Sequence, residues 1–577
     1  MANTSSLWWG MILVIAVWIF CCFVCCGVGV VLSSGFIKRR ITIQDLVIFF
    51  WMGWGILLLF LQVWQLFAPV NIWAALVFSS LGWAGIIAKR RQLAPLFCKP
   101  APYSIFVLSV FAMFLIWLAN RSMAPINLGD TGLYHLSSVR WNASYAIIPG
   151  LGNLHGRLAF NSSFFLYAAL FESGWFGKAY HFANGLLLVV LTTQLISSFI
   201  GVFKQRNSSV LPDLFSVLLL AYLPYQFFSY APNLSNDLAI YSLGVVIGLQ
   251  LCRLLFNSGT ADEENWLVFT ILVLTAAGIT VKLSFIGLGF FSVLVALLKL
   301  EFNRRQRREQ LLIPKDLTWL ISILILGSWI LRGYILSGYP AYPSTFGGMD
   351  VIWRVPPELV ANEARWITSW GRQPVKPPEE TLGNWNWLLP KLKKGLSRLP
   401  EFILPMGLAL FGSAIYLYRK RTIPDDPALP PLSQIIFFLL PPAGALAFWF
   451  FTAPNIRFVG VSFWWLGAGA LAVSLTGKHL KEWVAAASGL FFILLFILYS
   501  GVYAFWISPA PDLGFISAPG AQTSSFQTLS GLVIQIPVQN DACWDSPLPC
   551  TPNPDPNLRL IVPGEISKGF MVGDTSQ

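Results

Sequence analysis

The sequence predicts an all-α integral membrane protein, a multi-span helical bundle carrying extracytoplasmic loop subdomains, and three observations carry that reading. Of 577 residues, 56% are hydrophobic and 11% charged, whereas a soluble domain carries roughly 25% charged residues. So few charges cannot cover a water-facing surface. Apolar runs long enough to cross a hydrocarbon core, which needs about 20 residues at helical rise, recur almost from end to end. Lys and Arg fall in short clusters between those runs, the pattern that orients a membrane protein.

The net charge of +12 therefore reads as topology. Nucleic acid is not an expected partner, because no folded domain interleaves basic residues with exposed aromatics; membrane lipids are. The run from Leu7 to Leu32 follows Asn3 to Ser6 without a Lys or Arg. It is too long for a signal-peptide core and reads as a retained helix. Its Cys21, Cys22, Cys25 and Cys26 would suggest metal or redox chemistry in water. Inside lipid they read as small packing side chains.

Taken as cytoplasmic markers, the clusters Lys38 to Arg40, Lys89 to Arg91, Lys204 to Arg206, Arg304 to Arg308, Arg419 to Arg421 and Lys478 to Lys481 set the direction of each helix. Between them, apolar runs at 7–32, 46–67, 70–88, 102–119, 182–203, 210–228, 236–256, 266–281, 283–300, 317–337, 401–418, 433–451, 458–476 and 484–505 make about 14 transmembrane helices, with both termini outside. Residues 1–101 read as an N-terminal addition, 102–505 as a transmembrane core with outer loops 120–181 and 338–400, and 506–577 as an extracytoplasmic tail. In the second loop, NWNWLLPKLKKGLSRLPEF sets Trp and Leu among Lys and Arg at near-helical spacing, as interfacial helices do near anionic head groups. Cys543 and Cys550 in CWDSPLPC are spaced for a small structural disulfide outside the cytoplasm.

The stretch richest in chemistry is NLGDTGLYHLSSVRWNASYAIIPGLGNLHGRLAFNSS, 127–163, which collects Asp130, Tyr134, His135, Arg140 and His155 directly after a span. If Asp130 to Trp141 is helical, Asp130, Tyr134 and Ser137 or Ser138 share a face and can address one ligand. Asp130 can instead cap that helix, and Asp237 can cap a helix or pair with a neighbour. The two histidines read as loop hydrogen-bonders rather than metal ligands, since two isolated histidines seldom announce a ligand set, and His181 reads as interfacial. Lys282, Arg332 and Arg457 fall within or at the ends of spans, where charge is costly and usually functional, although long basic side chains also snorkel. GYPAYPSTFGG, 338–348, reads as an ordered turn whose tyrosines could contact a sugar.

An acid after a span, an aromatic and a run ending in Trp resembles the first outer loop of the GT-C superfamily of membrane glycosyltransferases. DTGLYH, PGLGNLHGRLAFNSSFF, SGYPAYPSTFGG and TAPNIRF look more closely like a group of bacterial polytopic membrane proteins, over roughly Asn127 to Phe458. The resemblance implies a GT-C-like fold, with Asp130 as the leading catalytic acid and Asp237 as a second outer acid. It also implies that Lys282 is the basic residue near which a lipid-linked phosphate approaches. The chain departs from better-known members in having no DxD or adjacent acid pair in its first outer loop, which leaves a divalent cation, Mg or Mn, an open question.

Physical chemistry converges on the same residues. Sugar transfer from a polyprenyl phosphate needs a carboxylate as base or metal ligand and cations for the phosphate at membrane depth. Lys282, Arg332 and Arg457 are the phosphate candidates; Tyr134, His135, Arg140 and His155 are substrate-binding candidates. The expected activity is a glycosyltransferase using a polyprenyl-phosphate-linked sugar donor and a glycan or lipid acceptor, on the outer side of a bacterial cytoplasmic membrane. Two alternatives are a glycan polymerase or ligase working through outer arginines and His, and a transporter or flippase of an amphiphile. The transporter reading expects polar residues at mid-membrane and internal repeats, and no repeat is visible here.

Overall fold

The computed structural model describes residues 4–97, 102–126, 128–172, 178–204, 210–257, 259–307, 317–423, 426–477, 480–506 and 518–573. Asn3, Asn127, Arg206, Arg308 and Lys478, used in the reading above, lie outside them. Among the described residues, 12 helices are long and apolar enough to cross a bilayer. The chain is a polytopic, mostly helical membrane protein.

Two of the expected spans take other forms. The run at 210–228 is two helices, Leu211–Leu220 and Leu223–Tyr230, meeting at a bend of 42°. Pro224 lies in the first turn of the second helix, where its missing N–H and its ring break a continuous ladder. The run at 458–476 condenses to Ser462–Ser474, 13 residues long and almost entirely buried. The residues before it form a short 3₁₀ turn, Ile456–Val459.

Charge separates the two ends of the bundle. At one end Lys38 meets Asp262 at 2.7 Å, Arg39 meets Asp45 at 2.7 Å and Arg307 meets Glu264 at 2.7 Å. Capping boxes of Thr42 with Asp45 and Thr260 with Glu263 start the helices Ile43–Trp64 and Ala261–Val281 there, satisfying orphan N–H groups that lipid cannot.

At the other end the three long polar segments form one layer. Phe570 donates its N–H to Pro149 O at 2.9 Å, Asn153 Nδ2 donates to Trp353 O at 2.9 Å, and Arg157 pairs with Glu363 at 3.4 Å. Trp141, Ile148, Leu154, Leu336, Ile534 and Phe570 share a small core of their own. The tail contributes two antiparallel strand pairs, Thr523–Gln527 with Val533–Pro537 and Leu558–Leu560 with Phe570–Val572. Cys543 and Cys550 are disulfide-bonded.

The first three helices pack closely through small residues. A Cβ on Gly27 would fall 2.0 Å from Gly82 O, and one on Gly53 would fall 1.9 Å from Cys25 O, so the backbones touch as small-residue interfaces in membranes do. Helix Ile43–Trp64 is then buried within a continuous apolar core running from Met11 to Leu495. Cys21, Cys22, Cys25 and Cys26 are free thiols in this packing, with Cys26 Sγ donating to Leu46 O at 3.4 Å. In the 338–400 loop, helix Leu388–Leu396 exposes Leu389, Leu392 and Leu396 as one apolar stripe. Arg372 stacks over Trp387 at 5.0 Å, and Trp385 lies on Phe450 at the end of helix Leu432–Thr452.

Candidate functional site

The site is built around the polar turn Pro-Asn-Leu-Ser-Asn-Asp at 232–237, set in otherwise apolar surroundings. Backbone groups there need partners that lipid cannot supply, and three asparagines provide them. Asn184 Nδ2 donates to Asn233 O at 2.8 Å and Ser235 O at 3.2 Å. Asn233 Oδ1 accepts from Leu128 N at 3.2 Å, which ties the chain just before Asp130 to the turn. Asn236 Nδ2 donates to Ser162 Oγ and Val281 O, both at 3.2 Å, and so fixes the residue before Lys282.

Asp237, at 4% side-chain exposure, is bound on both oxygens. Lys282 Nζ donates to Oδ1, while Oδ2 accepts from Arg457 Nε at 3.2 Å and Ser235 Oγ at 3.1 Å. Lys282 sits in the bend between two spans, at the membrane boundary, its ammonium 4.5 Å from the centre of the Phe458 ring. Arg457 is presented by the short turn Ile456–Val459, which Asn455 starts by accepting Arg457 N at 3.2 Å. Its Nη2 reaches Asp130 Oδ2 at 2.6 Å. One guanidinium thus bridges both acids, and two carboxylates face two cations.

Asp130 does not cap the helix that follows it; no side-chain capping bond forms, and the carboxylate turns to Arg457 instead. Thr131–His135 is a π-helical turn leading into helix Leu136–Ser144. Ser137 and Ser138 are buried, and Tyr134 and His135 stay within electrostatic reach of Asp130. Burial opposes charge on Asp130, but Arg457, assisted by His135, outweighs it and holds the carboxyl below its usual range. Burial lowers His135 to about 4, so it is neutral near pH 7, and its Nδ1 has no partner among the described residues. The cluster opens at Asp130 and Arg457, each 33% exposed.

The tail closes over this turn. Trp544 N donates to Gly132 O at 3.0 Å, and a Cβ on Gly132 would fall 2.3 Å from the Trp544 indole. Only glycine admits that approach.

Four expected residues, Asp130, Asp237, Lys282 and Arg457, therefore converge, with Tyr134 and His135 beside them. Three others are placed elsewhere. Arg332 is 3% exposed and bonds Asn161 Oδ1 at 3.1 Å and Gln65 Oε1, so it braces helix Leu317–Ser337 and does not face a phosphate. Arg140 is tied to the tail, through Ser546 O and Asp545. His155 faces no member of the cluster; burial and Arg157 hold its pKa down at about 4.

His181, expected at the interface, is wholly buried with Nδ1 at 2.9 Å from Ser122 O. Tyr339 and Tyr342 are buried too, Tyr339 donating to Val355 O at 3.1 Å, so the Pro-Gly turn is structural. The sequence reading missed Arg157, whose guanidinium lies 5.9 Å from the Tyr134 ring, although it stands in the quoted GLGNLHGR. It also missed Glu401, which lines a cavity with Tyr225, Tyr230, Asp237 and Arg457, and the positioning asparagines. Clustered Asn in an apolar context was the available signal.

The donor set does not fit a divalent cation well. Both carboxylates are committed to Arg457 and Lys282, and no group of three His, Cys, Asp or Glu gathers among the described residues. Fold and site together define a polytopic helical membrane protein with a bridged acid–base cluster at one membrane boundary. The sequence matches the family described as Domain of unknown function (DUF8201) over residues 11–464, and the chain belongs to that family. The match takes in the first three helices as well as Asp130, Asp237, Lys282 and Arg457. Comparison with curated proteins and with solved structures gives no match.

Proposed function

We propose that the protein is a glycosyltransferase of GT-C type that takes sugar from a polyprenyl-phosphate donor at the outer face of a bacterial cytoplasmic membrane. The observation that carries this reading is the single guanidinium of Arg457 shared between a half-open acid, Asp130, and a buried one, Asp237. A phosphodiester entering along the membrane boundary competes for that guanidinium, because phosphate accepts the planar Arg fork in pairs. Asp237 is buried and also held by Lys282, so Asp130 is the partner that yields.

Displaced from Arg457, Asp130 loses the charge that held its proton affinity down and becomes a competent base. The acceptor hydroxyl gives its proton to Asp130 as its oxygen attacks the anomeric carbon. The bond to the phosphate oxygen breaks with its electron pair, and Arg457 with Lys282 holds the released lipid phosphate. Attack opposite the leaving group inverts the anomeric centre. No step runs through a metal.

The test is the lipid-linked and surface glycan profile of a host strain lacking the gene, complemented with wild type or with Asp130→Asn. Restoration by wild type alone supports the reading; equal restoration by Asp130→Asn overturns it.

A further inference from the structure

Beside Arg457 and Asp237 the bundle holds a small, open-mouthed cavity of about 50 Å³. Its walls include Tyr222, Tyr225, Tyr230, Trp464 and Glu401. Tyr222 stacks between Tyr225, with centroids 4.9 Å apart, and Trp464, 5.3 Å apart. Trp464 Nε1 donates to Pro400 O at 3.1 Å, which anchors the residue before Glu401, and Arg398 pairs with Glu401 at 2.9 Å. Tyr222 is 4% exposed, and its hydroxyl, although buried, has no hydrogen-bond partner among the described residues.

This lining selects a ligand class. A hydrocarbon chain would leave the Tyr222 hydroxyl unpaired and would desolvate the Glu401–Arg398 ion pair, which is costly. An anion would meet Glu401 and Asp237, and a cation would meet Arg398 and Arg457. What suits aromatic faces joined to a carboxylate acceptor and a phenol is a neutral ring with an apolar C–H face and hydroxyl edges.

We propose that the aromatic cavity between Arg457 and Glu401 is a pyranose-binding subsite, with Tyr222 and Glu401 holding sugar hydroxyls. This deepens the proposed transferase reading, since the cavity ends at the Asp237–Arg457 pair where the phosphate would lie. Binding can nevertheless be measured without turnover.

The full-length protein, purified in a detergent without a sugar head group and placed in nanodiscs, is presented with methyl glycosides of glucose, galactose, mannose and N-acetylglucosamine. Saturation-transfer NMR is expected to show a ring-proton signal for at least one of them, reduced tenfold or more in Glu401→Gln combined with Tyr222→Phe. Should that double variant fail to fold by thermal unfolding, Tyr225→Leu, which leaves the ion pairs intact, replaces it with the same expectation. No signal from any glycoside, or equal signal in wild type and variant, overturns the subsite even if lipid-sugar turnover is found. A signal present in wild type and abolished in the variant supports the subsite even if wild type shows no turnover, in which case only the transferase reading falls.

Discussion

Asp130 and Arg457 stand 327 positions apart in the chain and meet at 2.6 Å. The pair is the exposed half of a cluster whose other half, Asp237 with Lys282, is buried deeper. That difference in depth assigns different roles to the two acids and makes them separable by mutation.

Asp130→Asn keeps the volume and one acceptor oxygen while removing the proposed base. Arg457 retains Asp237, so no charge is stranded. The expected result is a loss of transfer of roughly 10²- to 10⁴-fold, the usual contribution of a general base. Thermal unfolding should change little. Product formation and unfolding of the same preparation check both halves of the expectation.

Asp237→Asn and Lys282→Met act on stability as well. Asp237→Asn leaves Lys282 uncompensated and costs up to about 3–5 kcal/mol; Lys282→Met costs less, because Arg457 still holds Asp237. The double substitution should destabilise by clearly less than the sum of the singles, because neither charge is then stranded. A double-mutant cycle on unfolding in nanodiscs measures the coupling, and simple additivity would show that the two residues do not support each other.

Burial opposes protonation of His135, so its folded-state value of about 4 lies below the ordinary 6.5. Between those values the unfolded chain binds a proton that the native protein does not, and stability therefore rises with pH. The slope from this residue is about 1.4 kcal/mol per pH unit. The contribution is complete above pH 6.5 and is lost as pH falls toward about 4. Replacing His135 with Gln should flatten the stability profile in that window, and an unchanged slope there contradicts the assignment.

Gly132→Val places side-chain atoms where the Trp544 indole now lies. The tail should lift from the π-helical turn, and trypsin should cut at Arg559 and Lys568 faster than in wild type. Unaltered cleavage would mean that the tail is held mainly by Pro149 and Phe570.

Orientation can be read from one label, because the loop layer is continuous. Phe346 is 85% exposed in that layer. A Phe346→Cys variant, with the free cysteines replaced, should react with an impermeant maleimide on intact cells. Reaction only after permeabilisation would reverse the layer and remove the transferase proposal with it.

Much of this protein is legible in its sequence. Hydrophobic runs identify spans because lipid tolerates only continuous helices, and the failures are local: Pro224 bends one run, and the turn at Asn455 shortens another. Asp130, Asp237, Lys282 and Arg457 stood out because charges near lipid are costly and therefore sparse. Arg332 stood out on the same ground, but its guanidinium is taken up by Asn161 and Gln65, and rarity alone does not distinguish a brace from a site.

The sequence by itself determined that this protein lives in a membrane, which residues carry its scarce charges, and that Cys543 and Cys550 are close enough in the chain to be joined. Those are properties of composition and short spacing. Only the tertiary structure decided that Arg457 joins Asp130 to Asp237, that Arg140 belongs to the tail, and that Glu401 faces a wall of tyrosines. Such pairings depend on which helix ends meet at the same height in the bundle, and packing and buried hydrogen bonds over hundreds of residues set that height.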